Sequence, residues 1–231
     1  MKGQRVLLAG GTGGLGLGVT PEVVARGADV TIPYRSDGDL DRLKEKIGAD
    51  AFSKINFVKL DLLDEGAVQQ LVADMTRVDV LIHLVGGFAM GAIDEYEFSD
   101  WKKDFALNLH TTFLTCKACL AKMRQAGYGR IVTIGSRGAV EPGANLGAYC
   151  ASKAGVVALT QTIAAETRGT DITANCVLPS IIDTPSNRDA MGEAEADKWV
   201  TPESLAQTIC FLASAAAGDL RGAIVPVYGS V

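Results

Sequence analysis

Histidine is scarce in this chain: His83 and His110 are the only two among 231 residues. That scarcity leaves no set for a histidine-rich zinc site or a His-based triad, so both read as structural. Basic excess is also lacking. The 22 Lys and Arg are outnumbered by 27 Asp and Glu, for a net charge of −5 with no dense basic cluster, which argues against a nucleic-acid partner. No run approaches the ~20 apolar residues that span a bilayer. The opening MKGQRVLLAGG has neither the apolar length nor the small-residue cleavage site of a signal peptide. A cytoplasmic protein with no membrane partner is the expectation. The five cysteines are an odd number, and Cys116 and Cys119, although spaced CxxC, lie in the helical run TTFLTCKACLAKM with no second Cys or His pair nearby. They read as buried thiols, with no metal expected. Nor is there a Ser/Pro-rich linker, a low-complexity tract or a composition shift, so residues 1–231 are expected to form one domain.

What the chain does have is alternation. Apolar, strand-like runs at 5–9, 29–34, 55–60, 78–85, 130–135, 171–178 and 223–227 are separated by segments with helical periodicity, among them 65–75, 99–124, 149–168 and 202–214. Strand followed by helix, repeated six times, predicts an α/β fold: a doubly wound, parallel seven-stranded sheet with helices on both faces and right-handed crossovers.

The first strand runs into GGTGGLG, giving GxxxGxG at Gly10, Gly14 and Gly16 before a helix expected from about Leu15 to Arg26. Glycine-rich turns also occur wherever a strand simply turns into a helix. Here, the strand before and the helix after point to a phosphate cradle of Gly10, Thr12, Gly13, Gly14, Leu15 and Gly16. Free backbone N–H groups and the positive end of the helix dipole would meet a dinucleotide there. At the end of the second strand an NAD enzyme usually carries an acid for the ribose 2′-OH. This chain has Arg35 and Ser36, with Asp37 one position on. A guanidinium pairs with a 2′-phosphate, which favours NADP(H) and leaves NAD(H) open. The plainer alternative is a surface arginine leading into a loop.

The strongest signal is GRIVTIGSRGAVEPGANLGAYCASKAGVVALT, residues 129–160. Tyr149 and Lys153 are four apart and share a helix face. An ammonium near a phenol favours the phenolate, so Lys153 is expected to lower the Tyr149 pKa and prepare its hydroxyl for acid/base work. Ser136, at the end of the preceding strand, can hydrogen-bond a substrate oxygen beside that hydroxyl. Alone, YxxxK is commonly a solvated helix face. Joined to the serine, the glycine turn and the alternating order, it becomes a catalytic constellation.

These motifs together resemble the short-chain dehydrogenase/reductase family along essentially the whole chain, and with it a single Rossmann-type NAD(P)-binding domain. The resemblance implies further roles. Asp61 and Leu62 correspond to its adenine-contacting pair, and Asn108 to the asparagine of its proton relay. Val85 and Gly86 fall in its NNAG segment, and Pro179, Ile182 and Thr184 in the stretch that wraps the nicotinamide. Three departures stand out: Ala9 replaces the usual Thr of TGxxxGxG, His83-Leu84-Val85-Gly86 replaces NNAG, and Pro179-Ser180 replaces PG. The short stretch from Thr184 to Thr201 implies an open mouth. A 3-oxoacyl or general ketone reductase, acting on a small-molecule carbonyl that is free or carrier-bound, is the first expectation. Dihydropteridine reductase comes second, because VDVLIHLVGGFAMG and DTPxNR resemble it. A dinucleotide-binding protein without turnover is third. Apolar residues on more than one face of 105–124 and 149–166 point to a homotetramer or homodimer.

Overall fold

Each apolar run is followed by a helix long enough to carry the chain back across the sheet, so the strands pair in parallel. The computed structural model describes residues 1–231. Its strands are β1 (Arg5–Ala9), β2 (Asp29–Tyr34), β3 (Asn56–Lys59), β4 (Val80–His83), β5 (Tyr128–Ile134), β6 (Asp171–Pro179) and β7 (Ile224–Val227). They form one sheet in the order 3-2-1-4-5-6-7, parallel at every pairing. The order reverses between β1 and β4, which opens a crevice at their carboxyl ends. The helices are α1 (Gly16–Ala25), α2 (Asp37–Ile47), α3 (Ala49–Phe52), α4 (Glu65–Asp74), α5 (Phe98–Phe105), α6 (Thr111–Ala126), α7 (Gly147–Glu166), α8 (Pro185–Met191) and α9 (Pro202–Leu212). No helix is long and apolar enough to cross a membrane.

The period-2 geometry of β1 divides the core between the two faces. Val6 and Leu8 pack with Val19, Val23, Leu205 and Ile209 of α1 and α9. Leu7 packs on the other side with Cys116, Cys119, Met123 and Ile163 of α6 and α7. Cys116 and Cys119 are therefore core side chains, and all five cysteines are buried and unpaired. Burial pushes the Cys116 thiol up to about 12.

Two expectations change. The run 99–124 is not one helix: a π turn, Ala106–His110, separates α5 from α6. Threonine hydroxyls support it, since Thr111 Oγ1 donates to the Leu107 carbonyl at 2.6 Å and Thr112 Oγ1 to that of Asn108 at 2.7 Å. Helix α2 fills an interval where the alternation expects a helix, without a periodic run of its own, because DGDLDRLKEKI is polar nearly all round, with Leu43 its only buried residue. Helix α8 was missed. It starts at Thr184, whose hydroxyl accepts from the Asn187 N–H, with Pro185 in the first turn.

Helix α9 sits tightly on α1 at Gly18, where a Cβ would stand 2.5 Å from Cβ of Pro202. Gly18→Ala forces these helices apart and is expected to destabilise the fold by about 1–3 kcal/mol, measured by urea unfolding. An unchanged midpoint would contradict this packing.

Candidate active site

The glycine turn sits at the carboxyl end of β1, facing the end of β4. Gly10 has φ +82, and a Cβ on it would lie 2.9 Å from the Val85 nitrogen. On Gly16 a Cβ would meet the Gly10 carbonyl oxygen at 2.4 Å. Both positions therefore require glycine. The Gly13 N–H is taken by the Gly10 carbonyl at 3.1 Å, and that of Leu17 by Gly13 at 2.9 Å. Those of Gly14, Leu15 and Gly16, at the start of α1, keep no backbone acceptor, as the first turn of a helix dictates. Gly13 and Gly14 are exposed, whereas Thr12 and Leu15 are buried. Leu15 belongs to the core, so only its backbone is available to a ligand. Thr184 closes the turn from the far side, its methyl carbon 3.1 Å from where a Gly14 Cβ would be. The arrangement fits a dinucleotide pyrophosphate: unpaired N–H groups at a helix start, with backbone approachable where side chains are missing.

The four expected catalytic residues converge on the ends of β4 and β5. Asn108, fully buried in the π turn, grips one peptide group: its Oδ1 accepts from the Gly87 N–H at 3.0 Å, and its Nδ2 donates to the Gly87 carbonyl at 3.2 Å. Lys153 of α7 is buried and donates from Nζ to the Ile134 carbonyl at 3.0 Å. Asn108 Oδ1 and Lys153 Nζ each lie 2.8 Å from the place a Cβ on Gly86 would occupy. Ser136 Oγ accepts from the Gly138 N–H at 3.1 Å, which fixes it over the end of β5, beside the Tyr149 phenol. The Tyr149 ring meets Phe88 edge-on, with centroids 5.1 Å apart.

The electrostatics correct one expectation. The Tyr149 phenol lies above its ordinary pKa because of burial, and it is the neighbouring Ser136 hydroxyl that draws it back down. Lys153 is engaged by the Ile134 carbonyl and does not lower that pKa. Burial instead brings its own ammonium down to about 8. Gly87 and Ile134 were missed as site residues because they act through backbone atoms. The double glycine at 86–87 was the only trace in the sequence.

The remaining expected residues surround this centre. Asp61 turns its carboxylate onto the Leu63 N–H at 2.9 Å, while Leu62 packs against Ala9 and Val68. Pro179 ends β6, Ile182 bridges to Val200, and Thr184 is buried. Arg35 and Ser36 are exposed beyond β2, and the neighbouring Asp37 is held by Lys59 at 2.6 Å.

His83, standing where NNAG begins, is almost wholly buried, with ring nitrogens 3.3 Å from Thr111 Oγ1 and 2.9 Å from Thr115 Oγ1. It ties β4 to the helix that follows the π turn. Burial first, and the Lys153 charge second, push its pKa from 6.5 to about 3. The unfolded chain thus takes up a proton below pH 6.5 that the native state refuses down to about pH 3. This group alone therefore lowers stability by up to about 1.4 kcal/mol per pH unit on acidification through that window. His83→Gln is expected to flatten the fall of Tm between pH 6.5 and 4.5. Parallel curves for variant and wild type would refute the neutral clamp.

The chain matches the family described as short chain dehydrogenase over residues 4–195. It is similar to cyclohexanol dehydrogenase of Rhodococcus sp., with 31% identity over all of this chain and 97% of that protein. It is also similar to the 3-oxoacyl-[acyl-carrier-protein] reductase FabG of Chlamydia pneumoniae, with 26% identity over 99% of this chain and 97% of that one. Among solved structures, ElxO with NADP bound superposes at a TM-score of 0.90, with 26% identity over 99% of this chain and 98% of that one. With its parallel sheet and glycine turn, the chain belongs to the short-chain dehydrogenase/reductase family, whose members are oxidoreductases binding NAD(P) and acting on hydroxyl and keto groups.

Proposed function

We propose that this oxidoreductase uses NADP(H) to interconvert a carbonyl and a secondary alcohol, with a 3-oxoacyl thioester or a simple ketone as substrate. The observation that carries the reading is the convergence of Asn108, Ser136, Tyr149 and Lys153 at the mouth of the crevice beside the glycine turn. A bound nicotinamide supplies or accepts the hydride. The chain does the rest. Ser136 holds the substrate oxygen, and Tyr149, whose phenol is protonated at neutral pH, gives that oxygen its proton. Lys153 grips the nicotinamide ribose from its buried seat. Asn108, anchored on Gly87, lines the route by which Tyr149 recovers a proton. The cofactor would lie along Gly10 to Gly16, with its adenine near Asp61 and Leu62 and its nicotinamide near Val85, Gly86, Pro179, Ile182 and Thr184.

The 2′-phosphate falls to Arg35 and Ser36. Lys59 pairs with Asp37, so the acid next in sequence to Arg35 and Ser36 is already engaged and opposes the phosphate less. The likeness to a carrier-protein reductase and to an alicyclic alcohol dehydrogenase supports the choice of substrate. The DTPxNR segment, fixed by Arg188 on Asp183 at 2.6 and 2.9 Å, keeps quinonoid dihydropterin as the second candidate. Large apolar side chains left exposed on α5 and α6, Phe98 and Phe113, support self-association as a dimer or tetramer. Five unpaired thiols suit the reducing cytoplasm.

The test is a panel of ketones, acetoacetyl thioester and quinonoid dihydropterin, assayed with NADPH and NADH in parallel. Tyr149→Phe is expected to lower kcat by roughly 10²–10⁴-fold while NADPH still binds and its fluorescence still changes. Near-normal turnover would remove Tyr149 from its role. Arg35→Glu is expected to lower kcat/KM for NADPH by roughly 10–100-fold and to spare NADH. A wild type that prefers NADH would overturn the assignment of Arg35.

A further inference from the structure

From the geometry around Tyr149 we infer the class of carbonyl the site takes: one flanked by apolar carbon, alicyclic or aliphatic, and not a polyhydroxylated one. The inference rests on Tyr149 being the proton donor. Residues 86–93 read GGFAMGAI, eight in a row without a hydrogen-bonding side chain. This stretch lies against the catalytic tyrosine, with Phe88 presenting its ring to the Tyr149 ring at 81°. It is pinned to the segment leading into α7, where the Gly91 N–H donates to the Asn145 carbonyl at 2.9 Å and Gly91 bridges to Leu146. Ile93 packs onto Gly147, its Cδ1 2.8 Å from where a Cβ would be. Val140 follows the short turn that Ser136 caps.

These side chains remain open to solvent although they are large and apolar: Phe88 41%, Met90 58%, Ile93 71% and Val140 52%. Within residues 138–148 only Glu141 and Asn145 carry hydrogen-bonding side chains, and Arg137 holds the Glu141 carboxylate at 2.7 Å. A substrate docked with its carbonyl at Ser136 and Tyr149 brings its flanking carbons against this wall. Alkyl or ring carbon there leaves water for an apolar surface. Hydroxyl groups would lose their water partners, and along 86–93 and 138–148 the Asn145 amide is the one unengaged hydrogen-bonding side chain to replace them. Discrimination between sugar-like and ring ketones is thus built from the scarcity of polar side chains along these two segments, beside a tyrosine that itself would serve either.

The deciding measurement is ligand binding to the enzyme–NADPH complex, where an alcohol cannot be oxidised. Saturation-transfer NMR titrations compare cyclohexanol with erythritol, and cyclohexanol is expected to bind at least roughly tenfold more tightly. Phe88→Ser is expected to reduce that preference to within about threefold, and Phe88→Leu to keep most of it. Equal binding of the two alcohols, or a ratio unmoved by Phe88→Ser in a folded variant, would overturn the inference. Turnover is read separately, with cyclohexanone and dihydroxyacetone. Failure to reduce either would count against the reductase reading, while the binding ratio still decides what the wall accepts.

Discussion

The site depends on a steric constraint at the carboxyl ends of β1 and β4, where backbone must pass where side chains would not fit. Gly10 lies against Val85 and Leu84, and Gly86 against Asn108 and Lys153. The two glycines serve different ends. The first lets the turn that starts α1 fold beneath the neighbouring strand, and the second leaves room for an amide and an ammonium from two different helices. Because β1 and β4 are adjacent in the sheet, both requirements fall in one crevice. The position of the candidate dinucleotide site in the fold follows from strand order and missing Cβ atoms, before any charged group is considered.

Electrostatics then act on a buried centre. Lys153, His83 and Asn108 are buried, and each is answered by a specific partner: the Ile134 carbonyl, two threonine hydroxyls and the Gly87 peptide. A cation and a histidine share this neighbourhood only because the histidine stays neutral. Its depressed pKa and its place where the family carries asparagine are two sides of one fact, since a neutral imidazole can hydrogen-bond as an amide does. The departure from NNAG therefore keeps polarity at that position and changes the side chain that supplies it.

Much of this was legible in the sequence. The seven strands fall where the apolar runs do, and central strands such as β1 and β4, buried on both faces, are the most continuously apolar. Gly10, Gly14, Gly16, Ser136, Tyr149 and Lys153 were readable because side-chain chemistry and spacing are written in residue identities. Helix α2 was readable only from the alternation, since Leu43 alone of its residues is buried and periodicity had nothing to register. The π turn was also hidden, because a one-residue change of phase in a run of mixed polarity looks like a continuous helix. What identity could not show at all was the backbone's share, such as the carbonyl of Ile134 beneath Lys153. The expected pull of Lys153 on Tyr149 failed for the same reason: spacing put the two on one face, but the carbonyl decides where the ammonium goes.

The Asn108–Gly87 pairing has a consequence of its own. A side-chain amide facing a peptide group, donor to acceptor and acceptor to donor, reproduces one rung of a β-ladder between a helix and a loop. Aspartate, of equal size, would set an oxygen against the Gly87 carbonyl, and leucine would leave both peptide groups unanswered. Glutamine would carry the rung one methylene too far. Position 108 thus behaves as a chemical lock with a single key, joining the π turn to the loop after β4 by complementarity of hydrogen bonds instead of by packing.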